Sequence, residues 1–154
     1  MGSHMNRVAI AICALLALAV LAAIFHLTRQ DPTSTGDTAL VVERWLVARV
    51  PPTGTGDNGE PTWAGLTIRR LAHIAEYAAL GLAVGLTCLV LMRRAGLPSW
   101  GTGVALCAVA SVADQVAKTF VPGRHFDASD LPLDALGYVV SVTLANLVWA
   151  LATR

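Results

Sequence analysis

Four apolar runs, each close to twenty residues long and nearly empty of ionisable groups, dominate the chain: residues 8–27, 71–91, 99–119 and 133–153. A helix needs about 20 mostly apolar residues to cross a hydrocarbon core about 30 Å thick. The predicted fold is therefore all-α: a four-transmembrane-helix bundle with a long polar loop between spans one and two. Arg7 precedes the first run, as the basic start of a signal peptide would. The apolar stretch, however, exceeds the usual core of about 7–15 residues, which favours a retained span.

Composition agrees. Of 154 residues, 55% are apolar and 14% charged, against about 25% charged in an average soluble domain. The net charge of +1 leaves no basic footprint for nucleic acid, and the apolar content excludes a disordered chain. Residues 1–5 read MGSHM, the pattern of an expression-tag remnant, so His4 is set aside and residues 6–154 form one membrane domain. Cys13, Cys88 and Cys107 all lie inside apolar runs. They make neither a disulfide framework nor a metal-ligand spacing and read as small hydrophobes; no cofactor is expected.

Residues 28–70 are polar, and the stretches DPTSTGD and PPTGTGDNGEP are rich in turn formers. Between them residues 38–50 fit a short amphipathic helix, with Leu40, Val41, Trp45 and Val47 or Ala48 on one face and Glu43, Arg44 and Arg49 outside it. Trp45 and Trp63 suit a membrane interface. A mobile loop with one or two helical turns is the alternative, because so short a helix is marginal alone.

Four spans put both termini and the 93–98 connector on one side, with Arg7, Arg93, Arg94 and Arg154 and no acid. The other side carries the seven remaining basic residues and all ten carboxylates. A raw count of basic residues would place the long loop inside the cell. The clean signals close to span ends, Arg7 and the acid-free connector, place the termini inside instead.

Ionisable residues within spans are costly and point to function. Arg69, His73, Glu76 and Leu80 recur on one helical face, with Tyr77 beside it. Asp114 and Lys118 are four residues apart near the end of span three, and Asp130 and Asp134 are four apart around the start of span four. Alternating spans bring these to one membrane face, where residues 120–129 add Arg124, His125 and Asp127. The predicted cluster is Arg69, Arg70, His73, Glu76, Tyr77, Asp114, Lys118, Arg124, Asp130 and Asp134. Its residues suit proton exchange between His73 and a carboxylate, or phosphate binding through the planar fork of Arg124. A hard divalent cation on His73, Glu76, Asp114 and Asp134 is a third option, although neither an HExxH nor an EF-hand pattern occurs. Plainer roles stand beside these. His73 and Glu76 can form a capping, interfacial pair, Asp130 can be an N-cap, and Lys118 can pair with Asp114 while snorkelling outward. Gly81 and Gly85 form a G-x-x-x-G that serves close helix packing.

Residues 67–81, TIRRLAHIAEYAALG, resemble the first signature of the VanZ-like family, R-K-x-x-H-F-x-E-Y-x-x-L-G. Residues 114–137, DQVAKTFVPGRHFDASDLPLDALG, resemble the second, D-E-x-x-Q-x-F-x-P-G-R followed by D-x-x-x-D/N-x-x-G. The positions matched are Arg69, Arg70, His73, Glu76, Tyr77, Asp114, Phe120, Pro122, Gly123, Arg124, Asp130, Asp134 and Gly137. Two depart: Gln115 stands where the pattern has glutamate, and Lys118 where it has glutamine. The first removes a carboxylate; the second adds a cation able to meet Asp114 or an anionic ligand.

The family takes its name from a protein conferring resistance to the glycopeptide teicoplanin. The resemblance implies a multi-pass protein of a bacterial cytoplasmic membrane, linked to lipid-attached antibiotics or envelope lipids, and implies no particular reaction. The expected function is binding of an amphipathic envelope ligand at the outer face: a membrane lipid, a lipid-linked precursor or a glycopeptide antibiotic. Arg69, Arg70, Lys118 and Arg124 would engage its anionic groups, positioned by His73, Glu76, Asp114 and Asp134, with Tyr77 and Asp130 also among the binding residues. One alternative is an enzyme acting on a lipid head group, with His73 or Asp114 as base and Glu76 as acid. The other is an accessory that joins a second membrane protein, or another copy, through the Gly81/Gly85 face.

Overall fold

A computed structural model describes residues 2–30, 32–92 and 98–153. Its elements in order are α1 (Gly2–Thr28), α2 (Pro32–Val47), β1 (Gly54–Thr55), β2 (Pro61–Thr62), α3 (Ile68–Met92), α4 (Ser99–Lys118) and α5 (Asp130–Ala152). Helices α1, α3, α4 and α5 are each long and apolar enough to cross a membrane. The chain is an all-α, multi-pass membrane bundle. The side chains of Arg7, Arg93, Arg94 and Arg154, on which the predicted orientation rests, lie outside the described residues.

The helices outrun the apolar windows at the polar face. Helix α3 begins at Ile68 rather than Leu71, and α5 at Asp130 rather than Leu133. An apolar count measures what hydrocarbon requires, whereas helical hydrogen bonding continues into the interface, where water satisfies the end groups. Asp130 is not the N-cap of α5; Ser129 holds that position.

Helix α3 lies at the centre, packed most extensively on α5 and then on α1 and α4. Lipid supplies no hydrophobic drive between helices, so close contact depends on small residues. Gly137 faces the α3 backbone so closely that a Cβ there would overlap Ile74 O and lie 2.9 Å from Ala78 N. A Cβ on Gly81 would overlap Ser141 Oγ and lie 2.7 Å from Tyr138 Cα, while one on Gly85 would meet Val142 Cα at 3.4 Å. The Gly81/Gly85 face is thus packed against α5 of the same chain. Larger apolar side chains, among them Leu15, Val109 and Val148, point outward from α1, α4 and α5. Tyr77 and Tyr138 meet edge to face in the core, their centroids 6.4 Å apart. At the opposite end, Ser99 Oγ donates to Asn146 Oδ1 at 2.8 Å and Trp100 Nε1 to Thr143 Oγ1 at 3.0 Å, tying α4 to α5.

The segment between the first two spans is more ordered than a loop. Helix α2 begins at Pro32, a residue suited to a first helical turn, and ends at Val47, displaced from the 38–50 window. Leu40, Val41 and Trp45 remain on its outer surface. The turn-rich stretch after it forms a two-stranded antiparallel ribbon, Gly54 opposite Thr62 and Thr55 opposite Pro61. Trp63 and Leu66 then exchange backbone hydrogen bonds of 2.9 and 3.0 Å around Ala64 (φ 51°) and Gly65 (φ 77°). Two successive positive φ values are those of a type I′ turn. Trp63 is buried within this segment, not spread on the interface, and its Nε1 donates to Val50 O at 3.0 Å.

Candidate functional site

The C-terminal end of α1, the N-terminal end of α3, the C-terminal end of α4 and the N-terminal end of α5 meet at one end of the bundle, beside α2. His73, one turn into α3, reaches across to α5. Its Nδ1 lies 3.0 Å from Asp134 Oδ1 and its Nε2 3.2 Å from Asp130 Oδ2. The second oxygen of Asp134 accepts from Ser111 Oγ of α4 at 2.7 Å. Asp134 is completely buried, so these two donors compensate a carboxylate that hydrocarbon would otherwise disfavour.

Lys118 turns inward. Its Nζ lies 2.8 Å from Asp130 Oδ2 and 3.9 Å from Asp114 Oδ2, and its side chain is buried. The expected outward snorkelling does not occur, because two carboxylates inside the bundle offer the ammonium a better site than the interface does. Gln115 Nε2 donates to the same Asp130 oxygen at 3.2 Å, and Gln115 Oε1 accepts from the Asp127 amide at 3.3 Å. Asp114 is buried and accepts a hydrogen bond from Thr28 Oγ1 at the end of α1.

Arg124 is aimed by a turn. Arg124 N donates to Val121 O at 3.1 Å across Pro122 and Gly123, and Gly123 has φ 78°, the residue pattern of a type II turn. From there Nη1 donates to the carbonyls of Leu27, Thr28 and Gln30 at 3.1, 2.7 and 3.1 Å. The guanidinium thereby meets the negative end of the α1 dipole and its orphan carbonyls. Outside the spans, Asp127 accepts from both the hydroxyl and the amide of Ser129. These bonds hold its carboxyl below the usual range.

Two chambers that share lining residues open beside these groups. The inner one, about 200 Å³, has an apolar wall of Leu27, Ala39, Val42, Ile68 and Ala72 and a polar wall of Arg69, His73, Glu76, Asp114, Lys118 and Arg124. The outer one, about 240 Å³, is bounded by Arg69, Lys118, Arg124, His125, Asp127 and Asp130. Arg69, Lys118 and Arg124 border both.

Of the predicted cluster, His73, Glu76, Asp114, Lys118, Arg124, Asp130 and Asp134 come together, and Arg69 stands at the rim. Arg70 is exposed and borders neither chamber. Tyr77 is fully buried in the core and borders neither; its hydroxyl lies beside Ser111 without a hydrogen bond of normal geometry. Sequence reasoning missed Thr28, Ser111 and the bonding role of Gln115. Ser111 was within reach of it, lying three and seven residues before Asp114 and Lys118 on the same helical face. Thr28 has no such signal, because its partner is 86 residues away.

A family model described as VanZ/LLP1 matches residues 8–149, from the first span almost to the end of the last. The chain belongs to the VanZ/LLP1 family. No curated protein and no solved structure matches it. Most of the polar residues assembled at this end of the VanZ/LLP1 bundle come from the stretches 67–81 and 114–137 that carry the two signatures. The two departures from the signatures, Gln115 and Lys118, both bond to Asp130.

Proposed function

We propose that this VanZ/LLP1 protein binds the head group of an amphipathic envelope ligand in the inner chamber. One observation carries the reading: a membrane-end cavity with an aliphatic wall on one side and charged groups on the other. An amphiphile presents the same two surfaces. The chamber is of a size for a head group and the first carbons of a chain, not for a whole glycopeptide, so a lipid or the lipid-bearing part of a lipoglycopeptide fits best. The clean basic signals at Arg7 and in the 93–98 connector support placing it at the outer leaflet of a bacterial cytoplasmic membrane.

Chemistry on a head group is the second reading, and Glu76 is the observation that favours it. Its carboxylate borders the chamber with no hydrogen bond or ion pair among the described residues. Binding alone is the stronger reading because both nitrogens of His73 are already engaged by Asp130 and Asp134. His73, one of the two candidate bases beside Asp114, therefore has no ring nitrogen left for substrate.

The test is mass spectrometry of lipids retained by purified wild type and by Ala72→Trp, which fills the chamber from its apolar wall. Wild type is expected to carry one lipid class above its membrane abundance, and the variant to lose that enrichment with its melting temperature preserved. Equal retention by both proteins, or only bulk lipid in wild type, sinks the proposal. Appearance of a converted head group during incubation would favour the enzyme reading.

A further inference from the structure

Most charges at the site answer one another. Lys118 pairs with Asp130, His73 bridges Asp130 and Asp134, Asp114 accepts from Thr28, and Arg124 caps α1. Two charges in the wall of the inner chamber have no such partner among the described residues: Glu76 and Arg69. They have opposite sign.

An anionic ligand satisfies only one of them. It would leave the Glu76 carboxylate unpaired and bring negative charge toward it in a partly apolar cavity, where an uncompensated ion is costly. A ligand that also carries an ammonium group answers both charges. The spacing gives the second constraint. Glu76 and Arg69 are seven residues apart on one face of α3, two turns or about 10 Å along the helix axis. A ligand that answers both charges therefore carries them a short linker apart, each within charge-assisted contact of one of these side chains.

Resting on the reading of the chamber as a ligand site, we infer that its ligand is a zwitterionic amine-bearing phosphodiester, with its ammonium on Glu76 and its phosphate on Arg69. The aliphatic wall of Ala39, Val42 and Ile68 is placed for a lipid chain attached to that phosphate. A lipid head group and a soluble glycerophosphodiester share this chemistry.

The experiment is native mass spectrometry of the full chain in detergent micelles. It is titrated with phosphatidylethanolamine, phosphatidylcholine and phosphatidylglycerol of identical acyl chains. A hydrogen-bonded ammonium on Glu76 predicts that the ethanolamine lipid binds at least about tenfold more tightly than the other two. Glu76→Gln should abolish that preference, Glu76→Asp should keep it, and Arg69→Gln should weaken ethanolamine and glycerol lipids alike. The lipid series on unaltered protein tests the inference even if a variant fails to fold. Equal binding of the glycerol and ethanolamine lipids, or a preference that survives Glu76→Gln, overturns it while leaving the chamber a site for anionic amphiphiles. Binding of all three lipids no better than to Ala72→Trp ends both readings. Competition with glycerophosphoethanolamine separates the sources: displacement at equal concentration assigns the chemistry to the soluble form, and persistence of the lipid assigns it to the membrane.

Discussion

The ammonium of Lys118, on the last turn of α4, lies 2.8 Å from the carboxylate of Asp130, the first residue of α5. Gln115 donates to the same oxygen, so the two positions that depart from the family signatures act on one partner. Breaking one side of a buried pair costs about 3–5 kcal/mol because it strands the other charge. Lys118→Met should therefore lower the stability of the bundle by about that amount, and Lys118→Met with Asp130→Leu by much less than the sum of the single changes. Thermal melts of the four proteins in one detergent close the cycle. Additive losses would mean that the two residues are not coupled.

Glycine substitutions grade the contact between α3 and α5. A Cβ at Gly137 runs into Ile74 O and Ala78 N, and one at Gly81 into Ser141 and the Tyr138 backbone. Backbone atoms cannot step aside as a side chain can. Gly137→Ala and Gly81→Ala should each cost about 1–3 kcal/mol, whereas Gly85→Ala, whose nearest neighbour is Val142 Cα at 3.4 Å, should be close to neutral. Unfolding in a denaturing detergent series gives the ranking, and a large loss at Gly85 alone would contradict it.

The bundle was legible in the sequence because a membrane span has one demand, length of apolar helix, and four runs meet it. The membrane end at which the charges gather follows from the same count, since successive spans alternate in direction. Lys118 shows what such a count misses. Whether a lysine snorkels outward or turns inward depends on carboxylates from other helices, here Asp130 twelve residues away and across a chain reversal. The Arg124 contacts with the end of α1 bridge 94 to 97 residues, a distance over which spacing carries no information. The ribbon at Gly54–Thr55 and Pro61–Thr62 was obscured by its own turn residues. Two-residue strands contribute no alternating pattern.

Asp127 gives the pH dependence that can be stated with a sign. Its carboxyl is held below the ordinary 3.8 by the hydroxyl and then the amide of Ser129. A group depressed in the folded state adds stability above its unfolded value and loses it as pH falls through the lower, folded one. The approach to α5 should therefore be protected at pH 5–7 and loosen on acidification below about 3.8. Amide exchange or NMR shifts at Ser129 across pH 6 to 3 would show this. The effect is small, since both hydrogen bonds from Ser129 are exposed to water, and Asp127→Asn should remove it.

Arg124→Ala should release the last turn of α1. The guanidinium serves three carbonyls there, and hydrogen bonds involving a charged group contribute about 1.5–3 kcal/mol. Amide exchange near Leu27 and Thr28 should rise while that in the middle of α3 stays unchanged. Arg124→Lys, which keeps the charge but not the planar fork, should recover part of the protection. No change at the end of α1 in either variant would remove Arg124 from its capping role.

His73 and Asp134 set the most demanding test of the buried cluster. Asp134 is fully inaccessible, and its two oxygens face one donor each, His73 Nδ1 at 3.0 Å and Ser111 Oγ at 2.7 Å. His73→Leu leaves that carboxylate with a hydroxyl alone, whereas Asp130 on the other ring nitrogen keeps Lys118 and Gln115. The loss should therefore fall mainly on Asp134 and reach about 3–5 kcal/mol. Ser111→Ala, removing a neutral donor, should cost only about 1–3 kcal/mol. Replacing both members, His73→Leu with Asp134→Leu, takes the stranded charge away and should recover much of the stability, though not lipid retention if His73 shapes the chamber wall. Melting temperature and retained lipid measured on the same preparations separate the two roles: recovery of both would make His73 a purely structural residue.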